Sequence, residues 1–114
     1  MTKKQTCADK KVPDLGAKWA KEIVKLYPGK NIIEIAKDMG AEVVYEKPVR
    51  SDDLVRFSEY RKRFSQIVVF FREVERAAVA HELFHHLEKV RSSDLSLKQS
   101  ETEARKFADF FKDS

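Results

Sequence analysis

Residues 80–87 read Ala-His-Glu-Leu-Phe-His-His-Leu and contain the pattern His-Glu-x-x-His. In an α-helix, residues four apart lie one turn along the same face, so His81 and His85 can bind one metal ion together. Glu82 projects about 100° around the helix from His81, close to such an ion without ligating it. The residue types and their spacing predict a zinc hydrolase in which Glu82 takes the proton of a water activated by Zn²⁺.

The apolar residues of the same segment predict a helix from about residue 74 to residue 90. On a helical wheel, these side chains form one stripe beside the two imidazoles, and the stripe is expected to be buried. Its members are Ala80, Leu83, Phe84 and Leu87.

The remaining elements follow from apolar periodicity and from capping and turn residues. In chain order, the sequence predicts helices at 14–27 and 31–39, a strand at 41–46, a polar loop at 49–53, a strand at 54–60, a charged turn at 61–63, a strand at 65–71, and helices at 74–90 and 96–111. Asn31 with Glu34, and Ser96 with Gln99, form capping-box pairs that mark the starts of two helices. Because the strands are grouped in the middle of the chain, we expect the α+β class with a small, three-stranded, mainly antiparallel sheet.

Length and charge bound the organisation of the chain. Its 114 residues suit a single domain, which we place at residues 13–114 after a disordered basic tail at 1–12. The net charge of +4 comes from the N-terminal half, and we interpret it as a solvated surface. The two N-terminal helices superficially resemble a helix-turn-helix, but their apolar stripes are needed for the core. Direct binding to nucleic acid is therefore not expected.

Cysteine content and hydropathy predict a cytoplasmic location. Cys7 is the only cysteine, so no disulfide can form within the chain. The basic N-terminus has no apolar stretch behind it, unlike a signal peptide. No segment approaches the ~20 apolar residues that cross a bilayer, so a membrane is not expected as a partner.

A catalytic zinc site usually has three protein ligands and one open position. His86 is a poor third ligand because it points about 100° away from its neighbour His85. Cys7 lies in the predicted tail, so the third ligand should be a carboxylate. The last helix offers Glu101, our first choice, and Glu103 remains the alternative.

The two helical motifs together resemble the ImmA/IrrE-type metallopeptidases. In that family, a His-Glu-Leu-Gly-His helix is followed by a helix reading roughly Glu-x-Glu-Ala-Asn-x-Phe-Ala. Residues 81–85 and 101–108 match these motifs here, and residues 35–43 and 67–71 are similar to the family's upstream segments. The resemblance spans roughly residues 18–111, and its specific part is the two helical motifs. It implies that Glu101 is the third zinc ligand.

The resemblance also implies a small zincin-like, gluzincin-like domain in a short single-domain member of the family. Two residues depart from the family pattern. Phe84 replaces a glycine of the zinc motif, and we expect it to narrow the cleft. Arg105 replaces an asparagine that contacts the metal ligands, and we expect this change to alter metal affinity or the orientation of the ligands.

The expected function is that of a zinc-dependent endopeptidase acting on a protein substrate. The resemblance implies a helix-turn-helix repressor-type regulator as that substrate. The tetrahedral oxyanion needs a donor besides zinc, and His86 and Tyr60 are the candidates. We expect the strand at 65–71 to be an exposed edge that aligns an extended peptide.

A non-catalytic function is the alternative interpretation. A zinc-stabilised module could bind a transcriptional regulator without cutting it, and the departures at Phe84 and Arg105 keep this alternative open. Glu82→Gln separates the two, because it should abolish hydrolysis and leave binding unchanged.

Overall fold

The computed structural model describes residues 14–48, 56–92 and 94–111. The predicted tail at 1–12, with Cys7, and the predicted loop at 49–53 lie outside the described residues. The described helices are α1 (Leu15–Leu26), α2 (Ile32–Asp38), α3 (Glu75–Arg91) and α4 (Leu97–Phe111), and the strands are β1 (Glu42–Tyr45), β2 (Ser58–Arg61) and β3 (Gln66–Val69). Short 3₁₀ turns lie at Lys62–Phe64 and Arg72–Val74. The α+β class is confirmed.

Local capping explains where α2 begins and ends and where α4 begins. The Asn31 side chain accepts from the Glu34 amide at 2.9 Å, and Glu34 accepts from the Asn31 amide at 3.2 Å. Ser96 and Gln99 make the same reciprocal pair at 3.2 and 3.1 Å. Gly40, at a φ of 91°, follows the end of α2, in a backbone conformation that favours glycine. Both predicted capping boxes are confirmed.

The predicted second strand and charged turn are each displaced by one or more residues. The strand expected at 54–60 is observed at Ser58–Arg61, and residues 54 and 55 lie outside the described part of the chain. The turn expected at 61–63 is a 3₁₀ turn over Lys62–Phe64, followed by Ser65 at a φ of 50°. The positive charge of Arg61 predicts a turn, but Arg61 lies in the strand. Its guanidinium forms ion pairs there with Glu46 and Glu59.

The sheet is mixed, so the prediction of a mainly antiparallel sheet is wrong. Its strand order is β1-β3-β2, with β1 parallel and β2 antiparallel to β3. The short turn between β2 and β3 makes these strands antiparallel neighbours, whereas the longer segment between β1 and β3 permits a parallel pairing. The expectation that the strand at 65–71 is an exposed edge is also wrong. β3 is central, as suits its buried apolar run Ile67–Val69.

Helix α3 lies in the middle of the fold, with contacts to α2, α4, β2 and β3. The four residues of its predicted apolar stripe are all buried, which confirms the helical wheel. Phe84 packs against Trp19 and Phe107, with ring centroids 5.0 and 5.8 Å apart. It points into the core and does not line the cleft, so the expectation that it narrows the cleft is wrong.

Helices α1 and α4 approach each other closely at Gly16. A Cβ atom there would lie 2.1 Å from the Glu103 carbonyl oxygen and 2.9 Å from the Phe107 amide nitrogen. Only glycine fits this contact, which fixes the position of α4 and hence of the glutamates that it carries. None of the described helices has the length and apolar character needed to cross a membrane.

Candidate metal centre

Helices α3 and α4 bring together His81, His85 and Glu101. One ligand atom of each residue lies within 4.8 Å of the others. His81 Nε2 lies 3.1 Å from Glu101 Oε1, and His85 Nε2 lies 3.0 Å from Glu101 Oε2. These three residues are the predicted ligand set, and the group could hold a metal ion.

The outer nitrogen of His85 shows how this ring is oriented. Its Nδ1 lies 2.9 Å from Glu88 Oε1 and 3.2 Å from Ser100 Oγ. Because a carboxylate only accepts, Nδ1 carries the hydrogen, and in a neutral ring Nε2 then holds a lone pair. Such a hydrogen bond is how metal-binding histidines are commonly held.

The inner nitrogen of His85 is buried and has no hydrogen-bond partner among the described residues. The Glu101 oxygen 3.0 Å away does not change this, because it too is an acceptor. Buried polar atoms in folded proteins are nearly always satisfied. A cation between the nitrogen and the carboxylate would satisfy both atoms.

Glu82 lies beside this group and is buried, with 6% of its surface exposed. Ser58 of β2 donates a hydrogen bond of 2.7 Å to Glu82 Oε2. Burial raises the pKa of Glu82, and the Ser58 hydroxyl together with the two nearby imidazoles opposes that rise. The carboxylate is thus held in one place through one of its two oxygens.

The two glutamates proposed as third ligand have separate positions. Glu103 is buried on the far side of α4, where it accepts from the Gly16 amide at 2.8 Å. Lys106 lies 3.4 Å from its other oxygen. A carboxylate at the N-terminus of α1 interacts favourably with the helix dipole. Glu103 therefore stabilises the α1–α4 contact, and Glu101 is the one beside the histidines.

His86 and Tyr60, the candidate oxyanion donors, contact each other. Tyr60 Oη lies 2.7 Å from His86 Nδ1, and His86 Nε2 lies 2.9 Å from the Met39 carbonyl oxygen. Only 3% of His86 is exposed, and it is not among the residues that line the cleft. Both of its nitrogens are engaged within the core, so it has no donor to offer a substrate. Tyr60 does line the cleft.

His81 and His85 lie on the wall of an open cleft of about 760 Å³. Residues 56–60 form one wall, and α3 with the first turns of α4 form the other. Phe57 and Leu97 are large apolar side chains of this cleft that are 57% and 81% exposed. Arg105 is exposed and does not line the cleft. The position of Arg105 therefore does not support the expected effect on His81, His85 and Glu101.

Three residues of the site were not predicted from the sequence, namely Ser58, Glu88 and Ser100. Glu88 could have been found, because it lies three residues after His85 on the same helix face. Ser100 precedes Glu101 but gives no signal of its own. Ser58 reaches Glu82 only through the packing of β2 on α3, which no local pattern encodes.

No protein-family model, curated protein or solved structure matches this chain. The resemblance to ImmA/IrrE-type enzymes therefore stays a prediction.

Proposed function

We propose that this chain is a zinc-dependent endopeptidase of the ImmA/IrrE type with a zincin-like domain. The observation that carries the proposal is the convergence of His81, His85 and Glu101 within 4.8 Å, beside the buried carboxylate of Glu82 and at an open cleft. The alternative carboxylate Glu103 is occupied elsewhere.

The donor set fits zinc. Two imidazole nitrogens and one carboxylate oxygen beside an open cleft are the protein ligand type of catalytic zinc sites. The lone pair of buried His85 Nε2 has no other partner among the described residues. When bound, zinc polarises the scissile carbonyl and makes a water in the cleft a stronger acid.

Glu82 supplies the proton transfers of the proposed reaction. It follows His81 in the chain, and the hydrogen bond from Ser58 fixes one carboxylate oxygen. The other oxygen can accept a proton from the attacking water and then deliver it to the leaving amine. Because the carboxylate is held by both α3 and β2, it is positioned before substrate arrives.

Strand β2 supplies the edge along which a substrate can lie. The Phe57 carbonyl accepts from the Phe70 amide at 3.0 Å, which makes these residues a hydrogen-bonded pair. In an antiparallel ladder such pairs alternate, so Ser58 and Tyr60 direct their amides and carbonyls away from β3. No described strand occupies this outer edge, and an extended peptide can add to it. The substrate class, a helix-turn-helix repressor-type regulator, is proposed from the resemblance.

Hydrolysis by matched variants tests this function. We expect the zinc-loaded protein to cleave a repressor-type substrate, and Glu82→Gln to lower kcat by about 100-fold or more. Glu73→Gln, which makes the same change at an exposed position, is the control and should retain activity. Equal activity in Glu82→Gln would contradict the proposal. A module that only binds a regulator would show no cleavage in any variant and unchanged capture in Glu82→Gln.

A further inference from the structure

Two side chains of β2 connect the strand to the helix that carries the histidine pair. Ser58 donates to Glu82 at 2.7 Å, and Tyr60 contacts His86 at 2.7 Å. Residues two apart in a strand lie on one face, and residues four apart in a helix do the same. The two bonds therefore run side by side and oppose sliding of β2 along α3.

The hydrogen of the Tyr60 hydroxyl is committed to this contact. His86 Nε2 lies 2.9 Å from the Met39 carbonyl oxygen, and a carbonyl only accepts, so Nε2 carries the hydrogen. In a neutral ring Nδ1 is then an acceptor, and the Tyr60 hydroxyl must donate to it. A hydroxyl has one hydrogen, so Tyr60 in this arrangement has none to donate to an oxyanion in the cleft.

The Met39 carbonyl anchors the far end of the chain of hydrogen bonds. Met39 caps the C-terminus of α2, where backbone carbonyls lack partners within the helix. His86 satisfies this carbonyl from the interior of the fold. The chain from Tyr60 through His86 to Met39 therefore ties β2 to α3 and to the end of α2.

We infer that Tyr60 and His86 are positioning residues that hold the outer edge of β2 in register with Glu82. The kinetic consequence rests on the proposed peptidase function. A substrate paired with the outward backbone groups of Ser58 and Tyr60 inherits the position of the strand. A displacement of the strand by one ångström moves the scissile bond relative to Glu82 by the same amount, a scale of error that costs enzymes up to about 100-fold in rate.

Structural readouts test the contact without any substrate. Nitrogen NMR of the metal-free protein should show His86 with hydrogen on Nε2 and a bare Nδ1. Tyr60→Phe should accelerate hydrogen exchange of the Glu59 amide, which faces β3, by about tenfold. Tyr45→Phe is the matched control, because it removes a hydroxyl that contacts Glu75 of the same helix and leaves β2 untouched. A hydrogen on Nδ1, or equal exchange in both variants, would overturn the inference.

Kinetics with an internally quenched peptide library separate positioning from direct action. A positioning role predicts that Tyr60→Phe lowers kcat several-fold and also raises KM, because a shift of β2 misplaces both the scissile bond and the pairing edge. His86→Leu should have a similar effect, the double variant should be little worse than either single one, and His86→Asn should be milder because its amide oxygen can still accept from Tyr60. A loss of about 100- to 1,000-fold in kcat at unchanged KM in Tyr60→Phe, with an active His86→Leu, would instead make Tyr60 a direct oxyanion donor.

The structural and the kinetic measurements test different claims. If the wild-type protein cleaves no peptide, the proposed function fails, while the His86 tautomer and the Glu59 amide still decide whether β2 is held as inferred. Zinc content should be the same in all of these variants, since none of the altered groups lies in the ligand set.

Discussion

The Nε2 atom of His85 lies 3.0 Å from Oε2 of Glu101, and both atoms are hydrogen-bond acceptors when His85 Nδ1 donates to Glu88. Two facing acceptors repel unless a proton or a cation lies between them. The fold brings them together because α3 and α4 are packed along their length. The pair therefore forms a position that a metal ion, or a proton on Nε2, would stabilise.

The hydrogen bonds behind His85 should tune metal affinity. Glu88→Ala and Ser100→Ala each remove a partner of His85 Nδ1, and we expect zinc affinity to fall by about 10- to 100-fold. Competition with a chromogenic chelator measures the change. Asp109→Ala, an exposed carboxylate of α4, should leave the affinity unaltered. Wild-type zinc affinity in both Glu88→Ala and Ser100→Ala would show that these contacts with His85 do not affect metal binding.

Ser58 should matter for catalysis and not for metal binding. Ser58→Ala leaves one oxygen of the buried Glu82 without its donor, and we expect kcat to fall by about 10- to 100-fold at constant zinc content. Ser58→Thr keeps the hydroxyl and suits a strand, so it should retain most of the activity. Steady-state kinetics on zinc-loaded protein distinguish these outcomes. Full activity in Ser58→Ala would show that the hydrogen bond from Ser58 to Glu82 does not contribute to catalysis.

Glu103 should stabilise the fold and contribute nothing to the metal site. Glu103→Ala removes the acceptor for the buried Gly16 amide, and we expect the free energy of unfolding to drop by about 1–3 kcal/mol. Urea denaturation of the metal-free protein measures this. Glu101 is half-exposed, so Glu101→Ala should change the same quantity by less than about 1 kcal/mol. Loss of metal from Glu103→Ala would contradict the separation of roles.

The α1–α4 contact should tolerate no side chain at Gly16. In Gly16→Ala the new Cβ atom would lie 2.1 Å from a backbone oxygen, so the helices must separate, and we expect a loss of about 3 kcal/mol in stability. Lys18→Ala, at an exposed position of the same helix, should stay within about 0.5 kcal/mol. Thermal denaturation of both variants checks the comparison, and a native-like Gly16→Ala would show that this contact is loose.

Local patterns predicted the parts of the fold that depend on helical spacing. The pairing of His81 with His85, the buried stripe around Phe84 and both capping boxes need only the geometry of one helix. The sequence also predicts Glu101 beside the histidines, from the need for a third carboxylate ligand and from the family resemblance.

Local patterns could not predict the order of the strands or the hydrogen bonds that hold the residues of the site in place. The place of β3 between two strands depends on which edges meet in space, and a short apolar run indicates a buried strand without showing which strands lie beside it. The sequence predicts Tyr60 and His86 as oxyanion donors, yet their polar atoms form hydrogen bonds with each other and with the Met39 carbonyl. Such networks arise from tertiary packing, so their members carry no signal in the local sequence.

Metal content is the most direct test of the proposed site. After zinc loading and dialysis, elemental analysis should find about one Zn²⁺ per chain in the wild-type protein and in Glu103→Ala, and a sharp loss in Glu101→Ala. Absence of zinc from the wild-type protein, or equal zinc in Glu101→Ala, would contradict the three-ligand site and with it the proposed hydrolysis.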